Sequence, residues 1–274
     1  MLSDRPSGTP IAPMTVRRRI GVRSATALVF LLLAAAAVAR EPPRVVMQII
    51  GHGPVAVFES GSGVAHRNWA SVAQALAPCL TTVTYDRPGI GGSLPSRHPM
   101  APVLAGDVAA DLVARLRVHG LPGPYILVGH SIGGLYVQGL ARNHPQMVAG
   151  VVFVDAASPF EPAGAFVATL PAKPGSVEAA EEAGVAPSVA ALLAGPPFPP
   201  VPLLVIAATD HGDTPERESL WRDVQQRTAA LSPKGRLVVV DSGHFVQTDR
   251  PAAVVAAVLT VAAERGVNVA ACRH

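Results

Sequence analysis

The chain alternates short apolar runs with segments of helical periodicity, and this alternation restricts the fold more than any other feature. Runs rich in β-forming residues predict strands at 45–50, 55–60, 81–86, 125–130, 151–155, 203–209 and 237–241. Helices are predicted between or after them at 66–77, 103–119, 135–144 and 252–265. The predicted class is α/β, with a mainly parallel sheet and helices on both faces. The first two strands, separated by "GHGP", are predicted to form an opening hairpin.

Residues 1–39 have the pattern of a cleaved secretory signal peptide. Four arginines between positions 17 and 23 precede an apolar run at 25–39 that ends in "AVA". This run is shorter than the ~20 residues that a spanning helix needs, so cleavage is favoured over a retained anchor and no stable membrane span is expected. The arginine pair also resembles a twin-arginine signal, and a secreted or periplasmic location is predicted. Removing residues 1–39 takes the formal charge from +3 to −1, which removes the main argument for a nucleic-acid partner.

Residues 40–274 are predicted to form one domain with an insert at about 157–202. The insert contains 10 of the 27 prolines and a short helix candidate at 177–183. A plain linker of this length would be unusual inside a domain, so the insert is predicted to be a small Pro-rich lid. Its aromatic residues are Phe160, Phe166 and Phe198, and its prolines are expected to prevent extensive helix or sheet.

The stretch "GHSIGG" lies between the predicted strand 125–130 and the predicted helix 135–144. Glycines alone would indicate only a tight turn. That interpretation leaves Ser131 without a role, whereas a strained strand-to-helix turn presents a serine hydroxyl above the edge of a parallel sheet. Ser131 is therefore the predicted nucleophile, provided that a base and an acid follow it in the chain.

A base and several candidate acids do follow Ser131. His244, in "DSGHF", comes after the predicted strand 237–241 and is the predicted base. Asp210 comes directly after "PLLVIAAT" and is the preferred acid. Asp155 and Asp213 remain rivals, although carboxylates in such positions often only cap the next helix. His211 is expected to point away because it is adjacent to Asp210.

Acyl transfer also needs hydrogen-bond donors for the developing oxyanion. The backbone N–H of Ile132, directly after the nucleophile, is one candidate. The second is the N–H of Ser62 in "FESGSG", because Gly61 and Gly63 allow that loop to approach closely. An ordinary Gly-Ser turn is the alternative interpretation of this loop.

Four motifs together resemble the α/β-hydrolase superfamily over about residues 45–266: "GHSIGG", "YDRPGIGGS", "LLVIAATD" and "SGHFVQTDRP". The resemblance implies that Ser131 is the nucleophile, His244 the base and Asp210 the orienting acid of a serine hydrolase. Many members carry His-Gly in the oxyanion loop where this chain has Ser60-Gly61, but a backbone donor does not require that histidine. A serine at this turn also argues against relatives with an aspartate nucleophile, such as haloalkane dehalogenases and epoxide hydrolases. The insert carries few charges, so the expected substrate is a small or medium, largely uncharged carboxylic ester.

Other activities remain open. A non-catalytic ligand-binding protein can keep the same fold, and an acyltransferase or a cofactor-free peroxidase would use the same family architecture. No cofactor is predicted, and no metal, because neither Cys79 nor Cys272 has clustered Cys or His partners. A disulfide between these cysteines would suit an oxidising compartment, but the sequence does not show that they meet.

Overall fold

A computed structural model describes residues 44–162, 165 and 172–272, all of them within the unit Pro42–His274. The strands of these residues form one sheet in the order β1-β3-β2-β4-β5-β6-β7. β1 is antiparallel to β3, and the other neighbours are parallel, as predicted for a mainly parallel α/β sheet. The strand bounds are β1 Met47–Ile50, β2 Val55–Glu59, β3 Thr81–Tyr85, β4 Tyr125–His130, β5 Val148–Val154, β6 Leu203–Ala208 and β7 Gly235–Val240.

Helices cover both faces of the sheet. Their bounds are α1 Ala70–Leu76, α2 Ala105–Val118, α3 Gly133–Asn143, α4 Val177–Ala194, α5 Pro215–Ala229, α6 Val246–Asp249 and α7 Pro251–Glu264. α1 and α7 pack on one face through residues such as Leu76 and Val258. α2 and α3 pack on the other face through residues such as Leu116 and Leu140. No helix in the described ranges is long and apolar enough to cross a bilayer. The predicted signal peptide at 1–39 lies outside these ranges.

The burial of the strands explains why they form a parallel sheet. Every residue of β2, β4, β5 and β6 is buried, as expected for apolar strands that are covered on both faces. On the α1 and α7 face, a disulfide joins Cys79 to Cys272 across 193 positions, with their Cα atoms 5.8 Å apart. The two cysteines whose pairing the sequence left open therefore meet.

The predicted opening hairpin is wrong. β3 lies between β1 and β2, so the first two strands of the chain do not pair. β2 is buried along its whole length and has parallel neighbours on both sides, β3 and β4. The half-exposed β1 takes the edge position beyond β3. Burial of β2 in the sheet centre thus overrides the local preference for a hairpin.

The insert contains more helix than its proline content suggested. α4 spans 18 residues, well beyond the predicted 177–183, because only Pro187 of the ten prolines lies inside it. Its buried stripe docks against the start of α2: Ala180 O accepts from the Val103 N–H at 2.9 Å, and Ser188 Oγ accepts from the Ala105 N–H at 3.0 Å. A Cβ at Gly184 would lie 1.9 Å from Val103 O, so the helix packs too closely there for any side chain.

The three aromatic residues predicted for the lid do not share one environment. Phe198 is buried in the core, with its ring centroid 6.3 Å from that of Phe153, so its assignment to the lid is wrong. Phe160 is half-buried and lies under the Arg227 guanidinium, 4.5 Å from its ring centroid. Phe166 lies outside the described residues. The segment that remains a candidate lid is therefore the part that precedes α4.

Candidate active site

Ser131 lies at the turn between β4 and α3 in a backbone conformation that side chains rarely adopt. Its φ is +53°, and the small residues around it permit this close turn. A Cβ at Gly129 would lie 2.8 Å from Gly133 O, and one at Gly134 would lie 2.6 Å from Ala156 Cβ. The glycines therefore let α3 start directly against the sheet. The predicted strained turn at Ser131 is present in the structure.

Asp155 follows β5, the strand next to β4, and it is the second non-glycine residue with positive φ (+43°) among the described residues. Its carboxylate is fully buried and accepts four hydrogen bonds. Oδ1 accepts from Ala208 N at 2.9 Å and from Trp221 Nε1 at 2.7 Å. Oδ2 lies 2.6 Å from His244 Nδ1 and 2.7 Å from His211 Nε2. Burial alone would raise the pKa of Asp155, but the hydrogen bonds from the two histidines lower it below its usual range.

The acid beside His244 is therefore Asp155, and the choice of Asp210 is wrong on geometric grounds. Asp210 is exposed, and its Oδ1 accepts from the Gly212 N–H at 3.0 Å, which closes a local turn. Asp213 is engaged with Arg217 at 2.6 Å at the start of α5. The chain beyond β6 turns so that His211, one residue after Asp210, faces the buried carboxylate. Asp155, the rival acid of the sequence analysis, takes the position predicted for Asp210, and the expectation that His211 points away is wrong.

His244 lies on the loop between β7 and α6. A carboxylate accepts, so Nδ1 must donate to Asp155 and Nε2 is left with a lone pair in the neutral ring. His130, directly before Ser131, has its ring centroid 4.7 Å from that of His244, and its Nε2 lies 3.0 Å from His244 O. Burial, followed by the charge of His244, lowers the pKa of His130 to about 3, so His130 is neutral. The neutral His130 thus anchors the His244 loop next to the Ser131 turn.

Backbone contacts place Ser131 beside Asp155. Ser131 N donates to Val154 O at 3.4 Å, and Ala157 N donates to Ser131 O at 2.8 Å, so the two contacts bracket Asp155 in the chain. No hydrogen bond joins Ser131 Oγ to His244 in the described part of the chain. Such catalytic contacts are often long before substrate binds.

The two predicted oxyanion donors belong to segments that meet at Ser131. A Cβ at Gly61 would lie 3.3 Å from Ser131 Cβ, and a Cβ at Gly133 would lie 2.8 Å from Ser60 O. Within the described residues, the backbone N–H groups of Ser62 and Ile132 have no acceptor in the protein. Two free donors beside a serine suit the stabilisation of a developing oxyanion.

A buried ionic network fixes the Ser62 loop. Glu181 of α4 accepts through Oε2 from Ser62 Oγ at 2.7 Å and from Gly63 N at 3.0 Å. Its Oε1 binds Arg87 Nε at 2.7 Å, and the same guanidinium binds Glu59 Oε1 and the Gly61 carbonyl, each at 2.7 Å. Burial alone would lower the pKa of Arg87, but the charges of Glu181 and Glu59 raise it above its usual range. The sequence motif "YDRPGIGGS" thus contributes an arginine that fixes the loop, a role that sequence analysis missed.

Three atoms of the kinds that can bind a metal ion lie close together around the Asp155 carboxylate. Asp155 Oδ2, His211 Nε2 and His244 Nδ1 are all within 4.8 Å of one another. Both nitrogens, however, lie 2.6–2.7 Å from the same carboxylate oxygen, which are hydrogen-bond distances for N–H donors to a carboxylate. Two N–H···O hydrogen bonds to the carboxylate, one from each nitrogen, explain this arrangement, and we assign no metal to it.

Comparisons with known proteins agree with this architecture. A family model described as "Alpha/beta hydrolase family" matches residues 50–258, so the chain belongs to that family. A thermophilic esterase from Thermogutta terrifontis has a similar structure, with a TM-score of 0.67, coverage of 81% of this chain and 93% of that one, and 18% sequence identity. At this identity, the likeness shows the fold alone.

Curated relatives match over shorter stretches. A probable transporter of Hormonema carpetanum is 37% identical over 111 residues, which are 39% of this chain and 16% of that protein. A pimeloyl-[acyl-carrier protein] methyl ester esterase of Chromobacterium violaceum is 35% identical over 108 residues, which are 39% of each chain. The chain thus matches well under two thirds of the length of these relatives.

Proposed function

We propose that the protein is a serine hydrolase that cleaves a small or medium carboxylic ester through an acyl-enzyme formed on Ser131. The observation that carries the proposal is the 2.6 Å contact between His244 Nδ1 and the buried Asp155 carboxylate, beside a serine in a strained turn. The methyl ester esterase among the relatives supports an ester substrate, and the few charges predicted for the lid favour an uncharged one.

The residues can perform each step of acyl transfer. Ser131 Oγ attacks the carbonyl carbon while His244 Nε2 takes its proton, and Asp155 stabilises the imidazolium through Nδ1–H. The N–H groups of Ser62 and Ile132 stabilise the oxyanion of the tetrahedral intermediate. His244 then gives its proton to the leaving alcohol. Water attacks the acyl-enzyme in the second half of the reaction, with the same histidine as base. The bond to Ser131 Oγ then breaks, His244 returns its proton to that oxygen, and the carboxylic acid leaves.

Hydrolysis of a panel of p-nitrophenyl esters of increasing acyl length tests the proposal. We expect the wild type to hydrolyse the shorter esters, Ser131→Ala to lose this activity, and Ser71→Ala, on the exposed side of α1, to keep it. Turnover near the wild-type level in Ser131→Ala would contradict the assigned nucleophile. If the wild type releases no product but still binds esters, the binding-protein alternative is favoured. Transfer of the acyl group to added alcohols in preference to water would favour an acyltransferase.

We further propose that the segment between β5 and α4 acts as a lid that selects acyl length. Phe160 supports this proposal, because it is half-buried and is bound at the surface by Arg227. Phe160→Ala should change the ranking of acyl lengths in the same ester panel while the shortest esters are still cleaved. Phe198→Ala, a core position, should lower thermal stability without changing that ranking. An unchanged ranking in Phe160→Ala would contradict a lid at this position.

We also propose that the mature protein is secreted or periplasmic and begins near Arg40. The pattern of residues 1–39 supports this, and so does the Cys79–Cys272 disulfide, because such bonds persist in oxidising compartments. N-terminal sequencing of protein from the native host should find a mature start near residue 40. Recovery of an intact Met1 chain in the membrane fraction would favour a retained anchor.

A further inference from the structure

The Asp155 carboxylate serves two histidines through a single oxygen. His244 Nδ1 lies 2.6 Å and His211 Nε2 lies 2.7 Å from Oδ2, while Oδ1 is occupied by Ala208 N and Trp221 Nε1. The carboxylate has no exposed surface through which water could supply further donors. Any change in the charge of His211 therefore acts directly on the acceptor that His244 uses.

His211 is itself placed between two carboxylates. Its Nδ1 lies 2.7 Å from Glu218 Oε2, on the opposite side of the ring from Asp155, and its backbone N–H donates to Glu218 Oε1 at 2.7 Å. Because carboxylates only accept, both ring nitrogens must carry protons to satisfy these contacts. The hydrogen bond to Asp155, helped by the charges of Asp155 and Glu218, raises the pKa of His211 to about 9 despite its partial burial. The ring is therefore an imidazolium at neutral pH.

We propose that His211 is a positioning residue that stays protonated and shares the negative charge of Asp155 with His244, so that loss of the charge on His211 would strengthen the hold of Asp155 on a protonated His244. The geometry gives the direction of this effect. A cation whose ring centroid is 6.0 Å from that of His244 opposes a second positive charge there, and it also weakens Asp155 as an acceptor. Removing the charge on His211 should therefore favour the protonated form of His244. The catalytic meaning of this inference rests on the proposed function.

Other titratable groups face the same cluster and must be separated from His211. Asp213, on the loop of His211, is engaged with Arg217. His130, against the His244 ring, is neutral because its pKa is low. Glu161 interacts with both Asp155 and His244, and burial raises its pKa to about 7, so it titrates in the range of interest. The effect of His211 is therefore measured best in a Glu161→Gln background.

A purely structural role for His211 makes a different prediction. His211 connects α5 to the end of β5, and its ring packs edge-on against Trp221 at a centroid distance of 5.4 Å. If it did only this, its replacement would lower stability or turnover without moving the titration of His244. The test must therefore follow protonation, and it must not depend on catalysis.

The experiment is an NMR titration of the ¹⁵N-labelled imidazoles in the full chain. We expect His211→Gln, in which the side-chain amide can still donate to Asp155, to move the midpoint of the His244 titration upward by about 1 pH unit. Glu218→Gln should lower the midpoint of the His211 titration itself, because it removes one of the two carboxylates that favour the protonated ring. Glu216→Gln is the matched control, since it removes an exposed charge from the same helix and should leave both midpoints in place.

The outcomes separate this inference from the proposed function. In the wild type, the His211 nitrogens should keep imidazolium shifts until the pH approaches 9. A His244 midpoint unchanged in folded His211→Gln, or a neutral His211 at pH 7, would overturn the inference even if esters are cleaved. The expected shifts would uphold it even if the enzyme cleaves none of the esters tested. If His211→Gln does not fold, the wild-type shifts of His211 and the His211 midpoint in Glu218→Gln decide.

Discussion

The two sides of Ser131 each contain a buried carboxylate, but these carboxylates bind different kinds of partner. On the histidine side, Asp155 accepts from His211 and from His244, and imidazole is the side chain that most often transfers protons in catalysis. On the oxyanion side, Glu181 binds Arg87, whose guanidinium does not lose its proton in proteins. One side of the site can therefore change its protonation during a reaction, whereas the other can only hold a loop in place.

The two carboxylates also differ in how strongly they are tied to the fold. Asp155 is held by the ends of β5 and β6 and by α5, which belong to the sheet and its covering helix. Glu181 comes from α4, in the insert, and reaches the Ser62 loop from outside the sheet. We expect substitutions on the histidine side to affect proton transfer, and substitutions on the Glu181 side to affect the placement of the oxyanion donors.

The largest effect is expected from the carboxylate of the histidine side. Asp155→Asn should lower kcat for ester hydrolysis by about 10⁴-fold, because the amide favours the wrong tautomer of His244. Asp210→Asn removes the same charge from an exposed turn and should change kcat by less than about 3-fold, as surface substitutions usually do. Steady-state kinetics on both variants provide the measurement. The reverse ranking would contradict the assignment of Asp155 and return the acid to Asp210.

A smaller effect is expected from the oxyanion side. Glu181→Gln leaves one amide oxygen to serve both Arg87 and the Ser62 loop, so one set of contacts is lost. Losing a well-placed oxyanion donor lowers kcat by about 10²–10³-fold. A displaced loop should lower kcat by roughly 10- to 100-fold with little change in KM.

The measurement is kcat per active site. Active-site titration corrects for unfolded enzyme, because breaking a buried ion pair also destabilises the protein. Glu182→Gln, an exposed neighbour on α4, is the control. A Glu181→Gln enzyme with wild-type kcat per active site would show that the network is only structural.

The smallest effect concerns stability and comes from His211. Its pKa is raised to about 9 in the folded protein, from about 6.5 when unfolded, so folding favours its protonated form. This contribution is fully present below pH 6.5 and is lost as the pH rises through 9. The urea midpoint of the wild type should therefore fall between pH 7 and pH 10 by more than that of His211→Gln. Equal pH dependence in the two proteins would argue against a protonated His211.

The parts of the fold that a local sequence pattern determines are predictable from the sequence. Continuous apolar runs predicted the central strands, and glycines on both sides of Ser131 predicted its strained turn. α5 was not predicted although Thr214 and Pro215 supply an N-cap and a first-turn proline. The predicted helix at 177–183 is shorter than α4 because ten prolines in 157–202 argue against helix, whereas all of them except Pro187 lie outside α4.

The choice of acid could not be made from chain order. Asp155 and Asp210 both follow apolar strands, and the sequence does not specify which side chain the chain turns inward after β6. The structure turns His211 inward and leaves Asp210 in solvent, so a difference of one residue decides the assignment. Glu181 is 94 positions from Arg87, and only the docking of α4 on α2 brings them together.

The rate of reaction with a fluorophosphonate measures whether Ser131 is activated by the His244–Asp155 pair. The rate is followed by intact-protein mass, and the modified residue is found by peptide mapping. The wild type and Asp210→Asn should each gain one adduct, on Ser131, at similar rates. Asp155→Asn should react slower by about 10³-fold or more, since the serine then lacks a correctly oriented base. An adduct on a different serine, or equal rates in Asp155→Asn and the wild type, would show that this pair does not activate Ser131.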